Sequence, residues 1–176
     1  MAQASPSGMV TPTAAAQLCL LPVWWAQPPP SGQGEDVHVG FVSVPGGAFI
    51  DGGVVPAPSQ QLSTIQLPAA AFLISQQTWV RATRELISPD GTEFVYWKAD
   101  PSGEEVHVVD IASRADRTVY SGATFLFPIA FAAKGIYLVH AINIRQSSFE
   151  KLYLLNPADG TPQLVPGSDR HMYQYG

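Results

Sequence analysis

The stretch that decides the fold is Leu86–Val119, which reads LISPDGTEFVYWKADPSGEEVHVVDIASRADRTV. A short apolar pair ends in Ser88-Pro89-Asp90-Gly91, where proline presets φ, aspartate can bond its own backbone and glycine tolerates positive φ. The β-branched and aromatic runs that follow are typical of strands, and turn residues separate them. The sequence therefore predicts four short strands between 84 and 122. After Leu86-Ile87 these are 92–97, 106–111 and 117–120.

The same order of strands and turns returns about 44 residues later, a spacing typical of one blade of a β-propeller. Ile136–Val139 corresponds to Phe94–Trp97, and Leu152–Asn156 corresponds to Val106–Asp110. Asp110 and Asn156 thus take the same repeat position, directly after a strand, where each side chain is predicted to form an Asx-turn.

We therefore predict an all-β chain that forms a partial β-propeller of two regular four-stranded blades and one irregular N-terminal blade. α-Helix should stay below about 15%, against about a third in ordinary globular proteins. The predicted parts are a flexible uncharged tail over 1–17, the irregular blade over 18–83, regular blades over 84–122 and 123–168, and the start of a further blade over 169–176.

The turn at 88–91, the aromatic strand after it and the run V-H-V-V-D-x-A at 106–112 resemble the repeat of TolB-like β-propellers. These are related to the propeller domains that precede some peptidase domains. The resemblance covers about 84–167. The second copy of the repeat keeps only Gly135 of the turn. The resemblance to WD-repeat-like propellers is looser, because the G-H…W-D signature is absent. The layout is similar to that of bacterial extracytoplasmic propeller proteins, and this resemblance implies a fold and little else. The uncharged Ser-, Thr-, Pro- and Ala-rich start of the sequence favours an extracytoplasmic or secreted location.

Composition excludes several partners. The formal net charge is −5, with only nine lysines and arginines, which argues against nucleic acid and against a polybasic membrane patch. The longest apolar run, Ala14–Ala26, is interrupted and shorter than the roughly 20 residues of a membrane span. Cys19 is the single cysteine. We interpret it as a small buried hydrophobe, because a lipid-acceptor role needs a basic segment ahead of it and the first basic residue is Arg81.

No catalytic, cofactor-binding or metal-binding residue is predicted, and no cofactor. The histidines are scattered, and no H-E-x-x-H or C-x-x-C spacing occurs. Glu104-Glu105 is interpreted as a solvated pair at a hairpin tip. Aspartates beside glycine lack the pattern of a calcium loop. The histidines are His38, His107, His140 and His171, and the aspartates are Asp51, Asp90 and Asp159.

These features favour a non-enzymatic binding or scaffold module outside the cytoplasm, with a protein, peptide or glycan ligand. The alternative is an accessory propeller domain of a larger, prolyl peptidase-like hydrolase. A propeller hydrolase or lyase in its own right would need inward-facing groups from more blades. Trp24-Trp25 is interpreted as packing on the edge of the first blade rather than stacking on a ligand.

An arc of three blades would expose apolar faces at both ends. We expect these faces to include Phe125–Phe127 and Tyr173–Tyr175. The sequence therefore predicts self-association, or further blades in a longer chain.

The turn at 88–91 yields a prediction on stability. Gly91→Val should be the costliest change in this turn, because a β-branched residue is strained where φ is positive. Pro89→Ala and Ser88→Ala are expected to be mild. Thermal melts of the three variants measure the ranking, and a melt in which Pro89→Ala is the worst would show that the turn is assigned wrongly.

Overall fold

The computed structural model describes residues 19–28, 36–57, 69–100, 103–143, 148–168 and 172–173. Within these ranges the chain forms thirteen β-strands and one 3₁₀ turn. The strands make four antiparallel sheets, and none of them closes on itself. No α-helix occurs in the described ranges, so the all-β prediction is confirmed.

The N-terminal sheet is a three-stranded meander in the order β1-β2-β3. Its central strand alternates buried residues with less buried ones, as a strand between two unlike environments does. Gly40 marks a close approach, because a Cβ there would lie 2.6 Å from the Phe49 ring and from the Ile50 carbonyl oxygen. The register also shifts at this point, between Val39 and Gly40. The strands are β1 (Cys19–Gln27), β2 (Asp36–Val44) and β3 (Phe49–Val55).

A separate two-stranded hairpin follows, formed by β4 (Ala71–Leu73) and β5 (Thr78–Val80). The range predicted as one irregular blade, 18–83, thus contains two sheets. The hairpin is thin and has two apolar faces, so it packs against a different neighbour on each side.

The middle sheet contains β6 (Glu93–Asp100), β7 (Gly103–Asp110) and β8 (Asp116–Gly122). The strand predicted at Leu86-Ile87 is absent. Turn-type hydrogen bonds, Leu86 N to Thr83 O and Ile87 N to Arg84 O, use backbone groups that a strand ladder needs. They wind Arg84–Leu86 into a 3₁₀ turn, and only a single bridge, Ile87 to Phe94, remains. This repeat therefore has three strands instead of four.

The C-terminal sheet has the predicted meander of four strands in the order β12-β11-β10-β9. The Asx-turn predicted at Asn156 is confirmed, since Asn156 Oδ1 accepts from Ala158 N, two residues on, at 3.0 Å. At the equivalent position Asp110 Oδ1 accepts from Ser113 N, three residues on, at 2.7 Å. The strands are β9 (Leu126–Ala132), β10 (Gly135–Asn143), β11 (Ser148–Leu155), β12 (Pro162–Leu164) and β13 (Met172–Tyr173), which pairs with β11.

The sheets are stacked face to face in chain order, and three apolar clusters join them. One face of the middle sheet packs on the C-terminal sheet, and its opposite face packs on the hairpin. The hairpin packs in turn on the N-terminal sheet. The clusters are centred on Trp97, Val106, Ile136 and Leu138; on Leu73, Val80, Phe94 and Val109; and on Val37, Val39, Val55 and Ala70.

Phe125–Phe127 lies inside this stack, which corrects the expectation that it forms an exposed end. Leu126 is only 1% exposed. The rings of Phe125 and Phe127 lie 5.0 and 5.6 Å from the Trp97 ring, measured between centroids. The run crosses from the middle sheet to the C-terminal sheet where two apolar faces meet, so its side chains fill that interface. The side chains of Tyr173–Tyr175 lie outside the described residues.

Ser88 makes more hydrogen bonds in the turn at 88–91 than the sequence predicted. Its hydroxyl donates to Asp90 Oδ1 at 2.7 Å and accepts from the backbone N–H groups of Thr92 and Glu93 at 3.2 and 2.9 Å. The residue is 8% exposed. Gly91 has φ of +73°, as predicted. The mild effect expected for Ser88→Ala is therefore revised, because the change would leave the part-buried backbone N–H of Glu93 without its acceptor, while the N–H of Thr92 would keep Asp90 Oδ1.

We now predict that Ser88→Ala lowers the free energy of unfolding by about 1–3 kcal/mol, the cost of leaving a buried donor unpaired. Pro89→Ala removes no such bond and should cost less than about 1 kcal/mol. Urea denaturation of both variants measures the difference. Equal losses in the two would show that the Ser88 hydroxyl does not hold the turn.

Candidate functional site

The most exposed apolar surface of the described residues lies on the N-terminal sheet. Among the large hydrophobic residues that are exposed, eight of eleven belong to its three strands. Such a concentration on one sheet differs from the scattered apolar residues that any protein surface carries, and it indicates that one face of this sheet is an interaction surface. The eight are Leu20, Leu21, Trp24, Trp25, Val44, Phe49, Ile50 and Val54.

The two faces of this sheet have different surroundings. The inner face carries Val37, Val39 and Val55 and packs on the hairpin. There Phe41 meets Phe72 and Trp79 in an aromatic trio whose ring centroids are 4.9 to 5.6 Å apart. The strand register places the opposite set of side chains on the other side. We call this the outer face and define it by Leu21, Trp25, His38, Val44, Phe49 and Val54.

Aromatic rings form the centre of the outer face. Trp25 stacks on His38, its cross-strand partner, with ring centroids 5.2 Å apart and an interplanar angle of 13°. The Phe49 ring meets Trp25 edge-on at 5.4 Å and covers Gly40. Glycine at position 40 thus lets the phenyl ring of Phe49 lie against the backbone. The Trp25 ring contacts the rings of both His38 and Phe49, and the three rings form the centre of the outer face.

The structure corrects two sequence interpretations on β1. Trp24 and Trp25 do not pack away at the edge of a blade, since they are 45% and 37% exposed. Cys19 is exposed rather than buried. The cause is the same for both. β1 is an edge strand of its sheet, paired on one side with β2, and it has only a marginal contact with the hairpin.

A polar cluster lies on the middle sheet, on the face toward the hairpin. His107 Nδ1 is 2.9 Å from Asp116 Oδ1, and its Nε2 is 3.1 Å from Glu105 Oε2. Tyr96 donates its hydroxyl to Asp116 Oδ2 at 2.6 Å, and its ring stacks on the imidazole at 4.8 Å. Each imidazole nitrogen thus faces a carboxylate oxygen, and a ring nitrogen donates to such an oxygen only when it carries a proton.

Electrostatics in this cluster follow from burial and hydrogen bonds. Burial, with the Asp116 carboxylate next in importance, raises the pKa of Tyr96, so the phenol stays protonated and serves as a donor. The hydrogen bond from His107 lowers the pKa of Glu105, with Lys98 adding to the effect. Lys98 Nζ lies 3.3 Å from Glu105 Oε2. The cluster is a closed set of mutual partners, which is the arrangement of a structural network.

Glu104 and Glu105 are not a solvated loop pair, as the sequence indicated. Both lie in β7, opposite Ala99 and Lys98 in β6, and their side chains leave on opposite faces of the sheet. Burial raises the pKa of Glu104, and the Trp97 indole opposes this only in part. Glu104 Oε2 and Trp97 Nε1 are both buried without a well-formed hydrogen bond. No spacing signal could have revealed this, because it depends on how β6 and β7 pair.

A shallow groove of about 280 Å³ lies between the β4–β5 turn and the turn at 88–91. Arg84 and Asp90 line it together with Ile74. The Asp90 carboxylate is occupied by its own turn, since the Ser88 hydroxyl and the Thr92 backbone and hydroxyl all donate to it, and these bonds lower its pKa. The groove therefore offers one exposed cation and little enclosure.

No group of three His, Cys, Asp or Glu side chains within the described ranges is arranged to hold a metal ion. His38, His107 and His140 lie in three different sheets, and His171 lies outside the described residues. In the same ranges, no helix is long and apolar enough to cross a membrane.

Comparison with known proteins adds no assignment, since no family model matches the chain and no curated protein matches it significantly. The resemblance to TolB-like repeats stays a prediction.

Substitutions of the two neighbouring glutamates should change the melting temperature in opposite directions. The raised pKa of Glu104 means that its ionised form costs stability above the ordinary glutamate range, so Glu104→Gln should raise the melting temperature at pH 7. The lowered pKa of Glu105 means that its ionised form stabilises the fold above the ordinary glutamate range, and that this stabilisation is lost as the pH falls through the pKa of the folded state. Glu105→Gln should therefore lower the melting temperature at pH 7. Each shift should be about 1–3 °C.

Melting curves at pH 7 and below pH 4 measure both effects. The deficit of Glu105→Gln relative to the parent chain should shrink as the pH falls, because protonation of the carboxyl removes the stabilisation that its ionised form provides. The same direction of change for both variants at pH 7 would contradict the assignment of the two environments.

Proposed function

We propose that this chain is a non-enzymatic binding or scaffold module of β-propeller type that meets its partner through the N-terminal sheet. The observation that carries the proposal is the group of exposed apolar residues on the outer face of that sheet, which are Leu21, Trp25, Val44, Phe49 and Val54. Keeping such a surface in water is unfavourable, by about 25 cal/mol per Å² of apolar area, and covering it with a partner recovers this free energy.

The propeller assignment is supported by the stacking. Successive antiparallel sheets pack face to face in chain order, with a four-stranded meander as the last of them. In a propeller each blade buries both faces against its neighbours, as the middle sheet does here. The outer face of the N-terminal sheet then corresponds to the side on which another blade would lie.

The chemistry of the surface favours a protein partner over a glycan. Aliphatic Leu21, Val44 and Val54 surround the rings, and they offer no hydrogen-bonding groups to sugar hydroxyls. Asp51 accepts a hydrogen bond from Gly53 N at 2.9 Å, within its own turn. An apolar core with aromatic anchors and few charges is the composition of a protein–protein interface.

The Ser-, Thr-, Ala- and Pro-rich start of the sequence supports a location outside the cytoplasm. The accessory-domain alternative stays a prediction, which the neighbouring coding sequence would decide.

Selection from a displayed peptide library tests the proposed function. Peptides with apolar or aromatic anchors should be enriched on the immobilised chain, and Val54→Lys should weaken their binding at least tenfold, by about 1.4 kcal/mol or more. Ile50→Lys is the matched control, because Ile50 lies on the same strand with nearly the same exposure, 49% against 48%, but on the inner face. No enrichment, or equal loss in both variants, would contradict the proposal.

A further inference from the structure

The outer face has a size, a charge pattern and an asymmetry that together identify what covers it. We propose that it is a homodimer interface, in which two copies of this chain pack their outer faces together about a two-fold axis. This inference rests on the proposed function, since it names the partner of the same sheet.

Area is the first argument. Leu21, Trp25, Val44, Phe49 and Val54 are each between 37% and 50% exposed. With 150–250 Å² for a whole aromatic side chain and somewhat less for Leu and Val, they leave roughly 400 Å² of apolar surface in water. Two such faces supply roughly 800 Å² of apolar core, about half of the 1,200–2,000 Å² that a specific complex buries, and polar rim residues make up the remainder.

Charge is the second argument. The outer face carries no Lys, Arg or Glu, and its carboxylates belong to Asp36, at the start of β2, and Asp51, on the edge strand β3. A face that meets its own copy must avoid placing like charges opposite each other, since such juxtaposition costs several kcal/mol. The aromatic centre of this face can meet itself without that cost.

The opposite end of the stack, on the C-terminal sheet, distinguishes self-pairing of the outer face from a head-to-tail chain of copies. A head-to-tail arrangement needs a second exposed apolar face at the other end of the stack. There Tyr137, Leu152 and Leu154 are only partly exposed, Val139 is 3% exposed, and among the side chains described in that sheet the exposed large hydrophobic residues are Ile129 and Leu164. Because the exposed apolar residues of the described stack are concentrated at its N-terminal end, that face is expected to pair with itself, which is an isologous interface.

The geometry suits such a contact. Two β-sheets pack face to face at about 10 Å when their side chains interdigitate. The stacked Trp25 and His38 rings and the edge-on Phe49 ring are held by contacts within the sheet, so little side-chain freedom is lost on association.

Light scattering during size-exclusion chromatography of the full chain tests the inference. The expected mass is twice the 18.9 kDa of the chain, falling toward one chain mass on dilution. Leu21→Lys and Phe49→Lys, on the outer face, should shift the dissociation constant at least tenfold toward monomer. Leu20→Lys and Ile50→Lys should leave the dimer intact, because they change the adjacent residues, which are 46% and 49% exposed on the inner face.

Far-UV circular dichroism of each variant verifies folding. If Phe49→Lys disturbs the sheet through the Gly40 contact, the test uses only the comparison of Leu21→Lys, on the outer face, with Leu20→Lys, on the inner face. A wild-type chain that stays monomeric over roughly a hundredfold range of concentration overturns the inference, as does equal loss of dimer in outer-face and inner-face variants. A monomer that still selects peptides through Val54 would refute the homodimer while leaving the proposed function standing.

Discussion

The structure depends on a middle sheet that buries apolar side chains on both of its faces. Strands β6 and β7 alternate strictly, so that Val95, Trp97, Val106 and Val108 point to one side, while Phe94, Tyr96 and Val109 point to the other. A sheet of this kind is stable only when something packs on each side. The C-terminal sheet covers one side and the hairpin covers the other, and this requirement sets the order of the stack.

Polar contacts then hold the middle sheet in position. Arg117 donates to Glu93 at 3.0 Å within the sheet and to the Pro157 carbonyl oxygen at 2.9 Å, in the turn that follows β11. The Val119 carbonyl oxygen comes so close to Gly160 that a Cβ there would lie 2.8 Å away. The imidazole of His107 is enclosed by Asp116, Glu105 and Tyr96, so its nitrogens are used in the fold. Among the described residues, nothing packs on the outer face of the first sheet, and the proposed function starts from that face.

Local patterns in the sequence predicted much of this architecture and missed what pairing and packing decide. Turn residues and β-branched runs located β6, β7, β8 and the four strands of the C-terminal sheet, because both signals act over a few residues. Period alone also predicted a strand at Leu86-Ile87, where competing turn hydrogen bonds form a 3₁₀ turn. The burial of Phe125–Phe127 and the exposure of Trp25 depend on which sheets meet, which is information that a single strand does not carry.

Native-state hydrogen exchange tests the central claim most directly, because amide protection reports the free energy of local opening for each element. If the middle sheet is the common support of the stack, the amides of β6 and β7 near Val95 and Val108 should exchange the slowest, at the free energy of global unfolding. Amides of β1 should exchange the fastest among the long strands. Protection that is greatest in the N-terminal sheet, or that is lost from β6 and β7 before the C-terminal sheet opens, would contradict this account.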